Sequence, residues 1–182
     1  MLITDEYKKL NEELHERNKD YGNNGHKWIE HVQGLCKLVG SNDVLDYGCG
    51  KSTLAQNLPF PINQYDPAIT KYSDKPNAAD IVVCTDVLEH IEPDCVDDVL
   101  SDICRLTKEL AFLVIANMPA KKTLKDGRNA HLIQENELWW LCKILPLFHL
   151  LQFNSSGIMV DRINEGVLEY VLIVSPRVNI QG

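Results

Sequence analysis

No apolar run in this sequence approaches the ~18–20 residues that a bilayer-spanning helix needs. The opening stretch, MLITDEYKKLNEELHER, lacks an apolar signal core and is acidic from residue 5. A chain of this kind is expected to be soluble and cytoplasmic, with no membrane partner. Glycine is sparse, at 10 of 182 residues, and no Gly/Ser-rich or Pro-rich stretch marks a domain boundary. Internal repeats are absent. There is no excess of positive charge: 18 Lys and Arg stand against 26 Asp and Glu, for a net charge of −8. That balance excludes wholesale attraction to nucleic acid or anionic lipid and leaves only a local basic patch open. The six cysteines, at 36, 49, 84, 95, 104 and 142, form no C-x-x-C pair and no zinc spacing. They read as reduced, partly buried thiols and not as a disulfide framework.

What is present is a globular composition, 45% hydrophobic and 24% charged. The length fits one domain, 1–182, with residues 1–25 as an N-terminal helix or arm. Leu10 and Leu14 lie four apart in a polar, helix-favouring stretch over 5–18. A loop containing Asp20, Tyr21 and Gly22 follows. Residues 27–38 carry Trp28, Ile29, Val32, Leu35 and Cys36, the spacing of a helix with one buried face, ended by Gly40.

From there strands and helices alternate. Strands are predicted over 44–47, 62–65, 80–85 and 111–116. A short helix to Leu58 can be capped by Ser52 or Thr53. Longer helices are predicted over 94–110 and 135–145, and a polar loop over 120–130. Trp139 and Trp140 are adjacent on a helix, so only one can face the core. The other is left for the mouth of a site or an interface. Two last strands, about 148–153 and 168–174, have no long helix between them. The pattern predicts an α/β fold: a doubly wound, mostly parallel sheet with an antiparallel C-terminal edge hairpin. Ligands in such sheets bind at the carboxyl ends of the strands, where strand order reverses.

One glycine loop stands at such an end, Asp46-Tyr47-Gly48-Cys49-Gly50-Lys51-Ser52. A phosphate loop would need glycine where Leu45 stands, and a dinucleotide fingerprint would need it where Thr53 stands. The remaining reading is D-x-G-x-G. Its carboxylate is poorly placed beside a pyrophosphate and suits a ligand that carries an ammonium and a sulfonium. Asp66 ends the next strand, twenty residues after Asp46, and can accept both hydroxyls of a ribose.

VLDYGCGKSTLA, QYDPA and DIVVCTDVLEHIEP, in this order, resemble class I S-adenosylmethionine-dependent methyltransferases over about residues 26–175. The resemblance is strongest for the branch with D-V-L-E-H after the fourth strand. That branch includes ubiquinone-pathway O-methyltransferases and small-RNA terminal methyltransferases. The full chain also looks like small phage and bacterial members. The resemblance implies a Rossmann-like methyltransferase fold with S-adenosylmethionine as cofactor. It implies that Asp46, Tyr47, Gly48 and Gly50 line the methionine part. Asp66 would hold the ribose, with Pro67 and Ala68 beside the adenine, and Thr85, Asp86 and Val87 would lie under the sulfonium. The chain departs from the family between the second motif and the fourth strand. There only PAITKYSDKPNAA replaces the usual helix and third strand. The adenine pocket is therefore expected to be open, or built by a loop around Tyr72 and Ser73.

Methyl transfer from a sulfonium is an in-line displacement, in which the protein mainly positions the acceptor. A hydroxyl acceptor also needs a base or a metal. The Asp/Asn-Pro-Pro-Tyr motif of amino methyltransferases is missing at residues 85–88, and no proline precedes a cysteine as in cytosine-C5 enzymes. The expected activity is methyl transfer to oxygen or nitrogen of a small-molecule or nucleotide acceptor. Candidate catalytic residues are Asp86, His90 and His131, with His131 as general base or as a group that positions the acceptor. In the small-RNA branch an E-x-x-E-H run and a later histidine bind a divalent metal. The counterparts here are Asp86, Glu89, His90 and His131, with Asp in place of the first Glu. A metal-dependent RNA 2′-O-methyltransferase therefore stays open. So does a reading in which Glu89 and His90 merely anchor the next helix, and so does a cofactor-binding scaffold without turnover. Lys121, Lys122, Lys125 and Arg128 fall within one loop. They fit an anionic acceptor or a solvated charged loop.

Overall fold

The computed structural model describes residues 1–18, 22–161 and 164–177. Asp20 and Tyr21, predicted to lie in a loop, fall outside the described residues. Six strands form one sheet among the described residues: β1 (Val44–Tyr47), β2 (Asn63–Tyr65), β3 (Ala79–Thr85), β4 (Thr107–Ala116), β5 (Phe148–Asp161) and β6 (Asn164–Pro176), in the order β2-β1-β3-β4-β6-β5. The first four are parallel. β6 runs antiparallel to both β4 and β5, so the C-terminal hairpin occupies one edge as predicted.

Strand alternation divides the core in two. Val44, Ile81, Val83, Phe112 and Val114 face α2 (Ile29–Val39) and α3 (Thr53–Asn57), packing on Val32, Leu35, Cys36 and Leu54. Leu45, Val82, Cys84, Leu113 and Ile115 face the other way. They pack on α4 (Val96–Leu106) and α5 (Glu137–Ile144) through Val99, Leu100, Ile103, Trp140 and Ile144. The sheet is therefore covered on both faces, which is why its central strands read as unbroken apolar runs. Trp140 is the core member of its pair. Trp139 is half-buried beneath the Lys143 ammonium and lies away from the site described below.

Several boundaries differ from the sequence reading. The hairpin strands, predicted over about 148–153 and 168–174, run over Phe148–Asp161 and Asn164–Pro176. The helix predicted to reach 110 ends at Leu106. Residues 107–110 extend β4, where Thr107 and Leu110 pair with β3 and Lys108 bridges Asp43 and Asp80. At Thr107 the hydroxyl takes the Ile103 carbonyl that the backbone amide would bond in a continuing helix, and the amide turns to the Cys104 carbonyl. Ser52 occupies the N-cap of α3 but caps nothing with its side chain. Its φ of 63° and the bond from its amide to the Cys49 carbonyl belong to the tight turn before the helix.

The N-terminal segment is a helix, α1 (Asp5–Arg17), capped by the Thr4 side chain. It packs through Tyr7 and Leu14 onto Leu124 and Ala130, a third and smaller cluster away from the sheet. Among the described residues, no helix is long and apolar enough to cross a membrane. Leu113 is wholly enclosed between β4 and the α4 layer. Leu113→Ala is expected to lower unfolding free energy by about 2–5 kcal/mol, read from urea denaturation. A loss below ~1 kcal/mol would mean that this layer is loosely packed.

Candidate active site

β1 and β3 are neighbours, yet the chain leaves β1 toward β2 and leaves β3 toward β4. Strand order reverses between them, and a cavity of about 400 Å³ opens at their carboxyl ends. Gly48, in the turn after β1, has φ of 79°, a conformation costly for residues with a side chain. It also faces Val87 so closely that an added Cβ would lie 2.4 Å from a Val87 methyl carbon. Gly50, at φ 50°, lies against the Gly22 backbone, where a Cβ would sit 2.9 Å from the carbonyl oxygen. The turn is anchored to β2. The Gly48 and Cys49 amides both donate to the Tyr65 carbonyl, at 2.7 and 3.0 Å.

Asp66 follows β2 and is almost wholly buried. Its carboxylate accepts from the Gly50 amide at 3.1 Å and the Ala68 amide at 2.9 Å. Each oxygen keeps acceptor capacity for a ligand hydroxyl. The Asp66 amide donates to the Tyr72 carbonyl, which closes residues 66–72 into a loop. Pro67 and Ala68 line the cavity, whereas Tyr72 and Ser73 do not. The Tyr72 hydroxyl instead holds the Lys71 ammonium at 2.9 Å.

Asp46, Tyr47, Thr85, Asp86 and Val87 line the same cavity, so the structure gathers every cofactor-binding candidate in one place. Asp86 has φ of 56°, an uncommon conformation for a residue with a side chain and one that aspartate tolerates better than most. Its carboxylate accepts from the Asn24 side chain at 3.0 Å. Burial, reinforced by the charge of Asp66, pushes the Asp46 carboxyl up to about 7. Burial also raises Asp66, and burial with the Asp86 charge raises Glu169.

His90 and His131 meet edge to face, with ring centroids 4.6 Å apart, although forty residues separate them. His90 Nδ1 donates to the Ala130 carbonyl at 2.6 Å, and His131 Nδ1 to the Met118 carbonyl at 2.5 Å. A carbonyl only accepts, so both Nδ1 atoms carry a proton, and in the neutral form of either ring the lone pair lies on Nε2. Burial and then the His131 charge lower His90 to about 3. Glu89 does not line the cavity and is fully enclosed behind His90. Its Oε1 accepts from the Ala116 amide at 3.1 Å, its carbonyl accepts from the Ile133 amide, and its Oε2 has no partner. Burial, with the Asp86 charge, raises it well above the carboxylate range. Glu89, His90 and His131 each offer a ligand atom within 4.8 Å of the others. Asp86 stands outside that group.

The basic loop divides. Lys121 and Lys122 line the cavity. Lys125 pairs with Glu13 at 3.1 Å and Arg128 with Asp126 at 2.7 Å, so these two are spent on ion pairs. The sequence reading missed the cavity's far wall, where Leu2 and Ile3 precede α1 and Tyr7, Asn11 and His15 project from it. The last three recur every four residues, a stripe visible in the sequence but masked by its polarity. Glu169 on β6 was also missed.

A parallel sheet with this reversal and an antiparallel edge hairpin is a Rossmann-like arrangement, and solved structures of methyltransferases share the fold. The fold is similar to that of 1,6-didemethyltoxoflavin-N1-methyltransferase from Burkholderia thailandensis, solved with 1,6-didemethyltoxoflavin and S-adenosylhomocysteine. The TM-score is 0.58 at 16% identity, over 94% of this chain and 89% of that one. It is also similar to magnesium protoporphyrin IX methyltransferase from Synechocystis with bound S-adenosylhomocysteine, at TM-score 0.55 and 15% identity, over 84% and 83% of the two chains. An S-adenosylmethionine-dependent methyltransferase from Clostridium acetobutylicum gives TM-score 0.56 and 11% identity, over 82% and 90%. At these identities the likeness establishes the fold. No protein-family model and no curated protein matches the chain.

Asp46 yields a test by pH. In the unfolded chain it ionises near pH ~4, but in the fold only near 7. The stability it leaves intact below pH ~4 is lost as pH rises toward about 7. Asp46→Asn removes that loss. Its stability relative to the parent should therefore grow from about pH 4 to about pH 8 in urea unfolding. A constant difference would mean that Asp46 titrates normally.

Proposed function

We propose that this chain is an S-adenosylmethionine-dependent methyltransferase that acts on oxygen or nitrogen of a small-molecule or nucleotide acceptor. The carrying observation is the turn after β1, where neither Gly48 nor Gly50 has room for a Cβ, facing Asp46, Asp66 and Asp86 at the reversal of strand order. Those residues fit the cofactor. Among the described residues Asp46 has no cationic partner, and a buried acid of that kind suits a ligand with ammonium and sulfonium charges. When bound, S-adenosylmethionine supplies a methyl group already activated on positively charged sulfur.

The chain's own residues do the rest. Gly48 and Gly50 let the backbone approach the methionine part, and Asp66 accepts ribose hydroxyls. Asp46, Asp86 and Glu169 maintain negative potential beneath the sulfonium. His131 Nε2 takes the proton from the acceptor nucleophile, held in that orientation by the Nδ1 bond to Met118. His90, kept neutral at physiological pH, packs edge-on against His131 and holds its ring in place.

A second reading, metal-assisted transfer to a hydroxyl, is favoured by the mutual approach of Glu89, His90 and His131 and by the orphaned Glu89 oxygen. Two imidazoles oriented by carbonyls and one carboxylate suit a divalent cation, which would activate the hydroxyl. On this reading, Mn²⁺ binds by calorimetry and Glu89→Gln abolishes that binding while cofactor affinity stays. Silence in wild-type titrations with Mg²⁺, Mn²⁺ and Zn²⁺ removes the metal.

Calorimetry with S-adenosylhomocysteine tests the main reading. Asp66→Ala should weaken binding by roughly ten- to a hundredfold, the loss of about 1.5–3 kcal/mol of charge-assisted bonding. Gly48→Val should abolish it. If the wild-type chain binds NAD or ATP but not this ligand, the reading fails. Binding without product from any acceptor in a broad screen would point to the scaffold.

A further inference from the structure

One stretch of the cavity wall presents carbon. Leu2 and Ile3 precede α1, Tyr7 stands on it, Ile91 follows the D-V-L-E-H run, and Pro119 and Ala120 follow β4. Leu2 and Ile91 pack on the α4 side of the core, whereas Ile3, Tyr7 and Ala120 share the smaller cluster, so the step from Leu2 to Ile3 joins them into one surface. Tyr7 is 2% exposed with its hydroxyl enclosed, so what it offers the cavity is ring carbon. On the methyltransferase reading, which this narrows, we propose that the surface is the acceptor subsite and takes a small, neutral phenol in preference to a phosphate or a carboxylate.

Polar groups beside this surface are largely spent. The Thr4 amide and hydroxyl both donate to Glu92, at 2.9 and 2.8 Å, and the Tyr7 amide donates to the Thr4 hydroxyl at 3.1 Å. Ala120 bonds the Asn129 side chain through both its amide and its carbonyl, at 2.9 Å each, and Pro119 has no N–H. An anion seated there would lose its hydration with little bonding in return, while an apolar body gains by leaving water. Lys121, next in the chain, is exposed, so its ammonium stays solvated. The reacting hydroxyl is placed by His131. Asn129 Oδ1 accepts from the His131 amide as well as from Ala120, both at 2.9 Å, so the imidazole and the apolar surface are held as one piece. A body resting on the surface thus brings a hydroxyl at its edge toward that imidazole. An imidazole base suits a phenol, which ionises near ~10 as tyrosine does, better than an aliphatic alcohol. The cavity of about 400 Å³ must also hold the cofactor, and ligand pockets run from ~300 to ~1,000 Å³, so the acceptor is small.

NMR of the Ile3 and Ile91 methyl groups tests this while naphthol, and separately naphthyl phosphate, is added to the full chain with and without saturating S-adenosylhomocysteine. The two probes share one apolar body and differ in charge. With S-adenosylhomocysteine present, naphthol should shift both methyls saturably and bind at least fivefold more tightly than the phosphate. Ile3→Ala and Pro119→Asp should each weaken naphthol at least threefold, with unchanged circular dichroism. Pro119 is exposed, so its variant keeps the fold even where the loss of Ile3 does not. A smaller preference for naphthol, or a tighter phosphate drawn by Lys121 or Lys122, overturns the proposal. So does the absence of saturable shifts, displacement of naphthol by S-adenosylhomocysteine, or indifference to Pro119→Asp. Calorimetry reads S-adenosylhomocysteine binding by itself. If that ligand does not bind, the methyltransferase reading fails, and naphthol against naphthyl phosphate on the free chain still decides what the apolar surface takes.

Discussion

The site depends first on how near the turn after β1 comes to the turn after β3. Gly48 and Val87 approach to a distance that admits no Cβ, and that approach brings the two strand ends together as the cavity floor. Backbone bonds then extend the constraint to β2, where the Tyr65 carbonyl collects two amides of the turn and Asp66 collects a third. Three strand ends are thus held before any ligand arrives. A ligand meeting a floor fixed in this way loses less free energy to ordering the protein.

The opposite wall is built differently. α1 belongs to neither main core and rests on a small cluster of Tyr7, Leu14, Leu124 and Ala130. Its entry is fixed by the Thr4 amide and hydroxyl, which both donate to Glu92, and by the Met1 amine on Asp98. The segment facing it, 116–133, is stapled by Glu89 at the Ala116 and Ile133 amides and by His90 at the Ala130 carbonyl. The D-V-L-E-H run therefore has a structural task. It carries residues 116–133 on the end of β3, which is why His131 stands beside His90.

What was legible in the sequence follows from the same division. β1, β3 and β4 are buried on both faces and stand out as apolar runs. The glycine turn and Asp66 announced themselves by spacing. The start of β4 was hidden because Thr-Lys-Glu-Leu continues a helical pattern, and only pairing with β3 draws it out. The α1 wall was hidden because Tyr7, Asn11 and His15 make a polar stripe, while periodicity is read from apolar residues. Whether a cation faces a ligand or a neighbouring acid is a tertiary fact. Lys121 lines the cavity, whereas Lys125, four residues on in the same loop, pairs with Glu13.

The shortened link between β2 and β3 has a consequence at the sheet's edge. Only a 3₁₀ turn, Thr70–Tyr72, interrupts it, so β2 is an edge strand of three residues. So short an edge offers little template for pairing with another chain. It also leaves the wall beside Asp66 to Pro67 and Ala68, one without a backbone donor and the other with its amide already given to Asp66. A flat base lying there would be held by contact and shape, with few directional bonds. On the proposed function, discrimination among cofactors then falls to the ends of the ligand: the hydroxyls at Asp66 and the charges at Asp46 and Asp86. Of these groups Asp46 and Asp66 are the enclosed ones, so on the proposed function the enclosure of two carboxylates carries most of that selectivity.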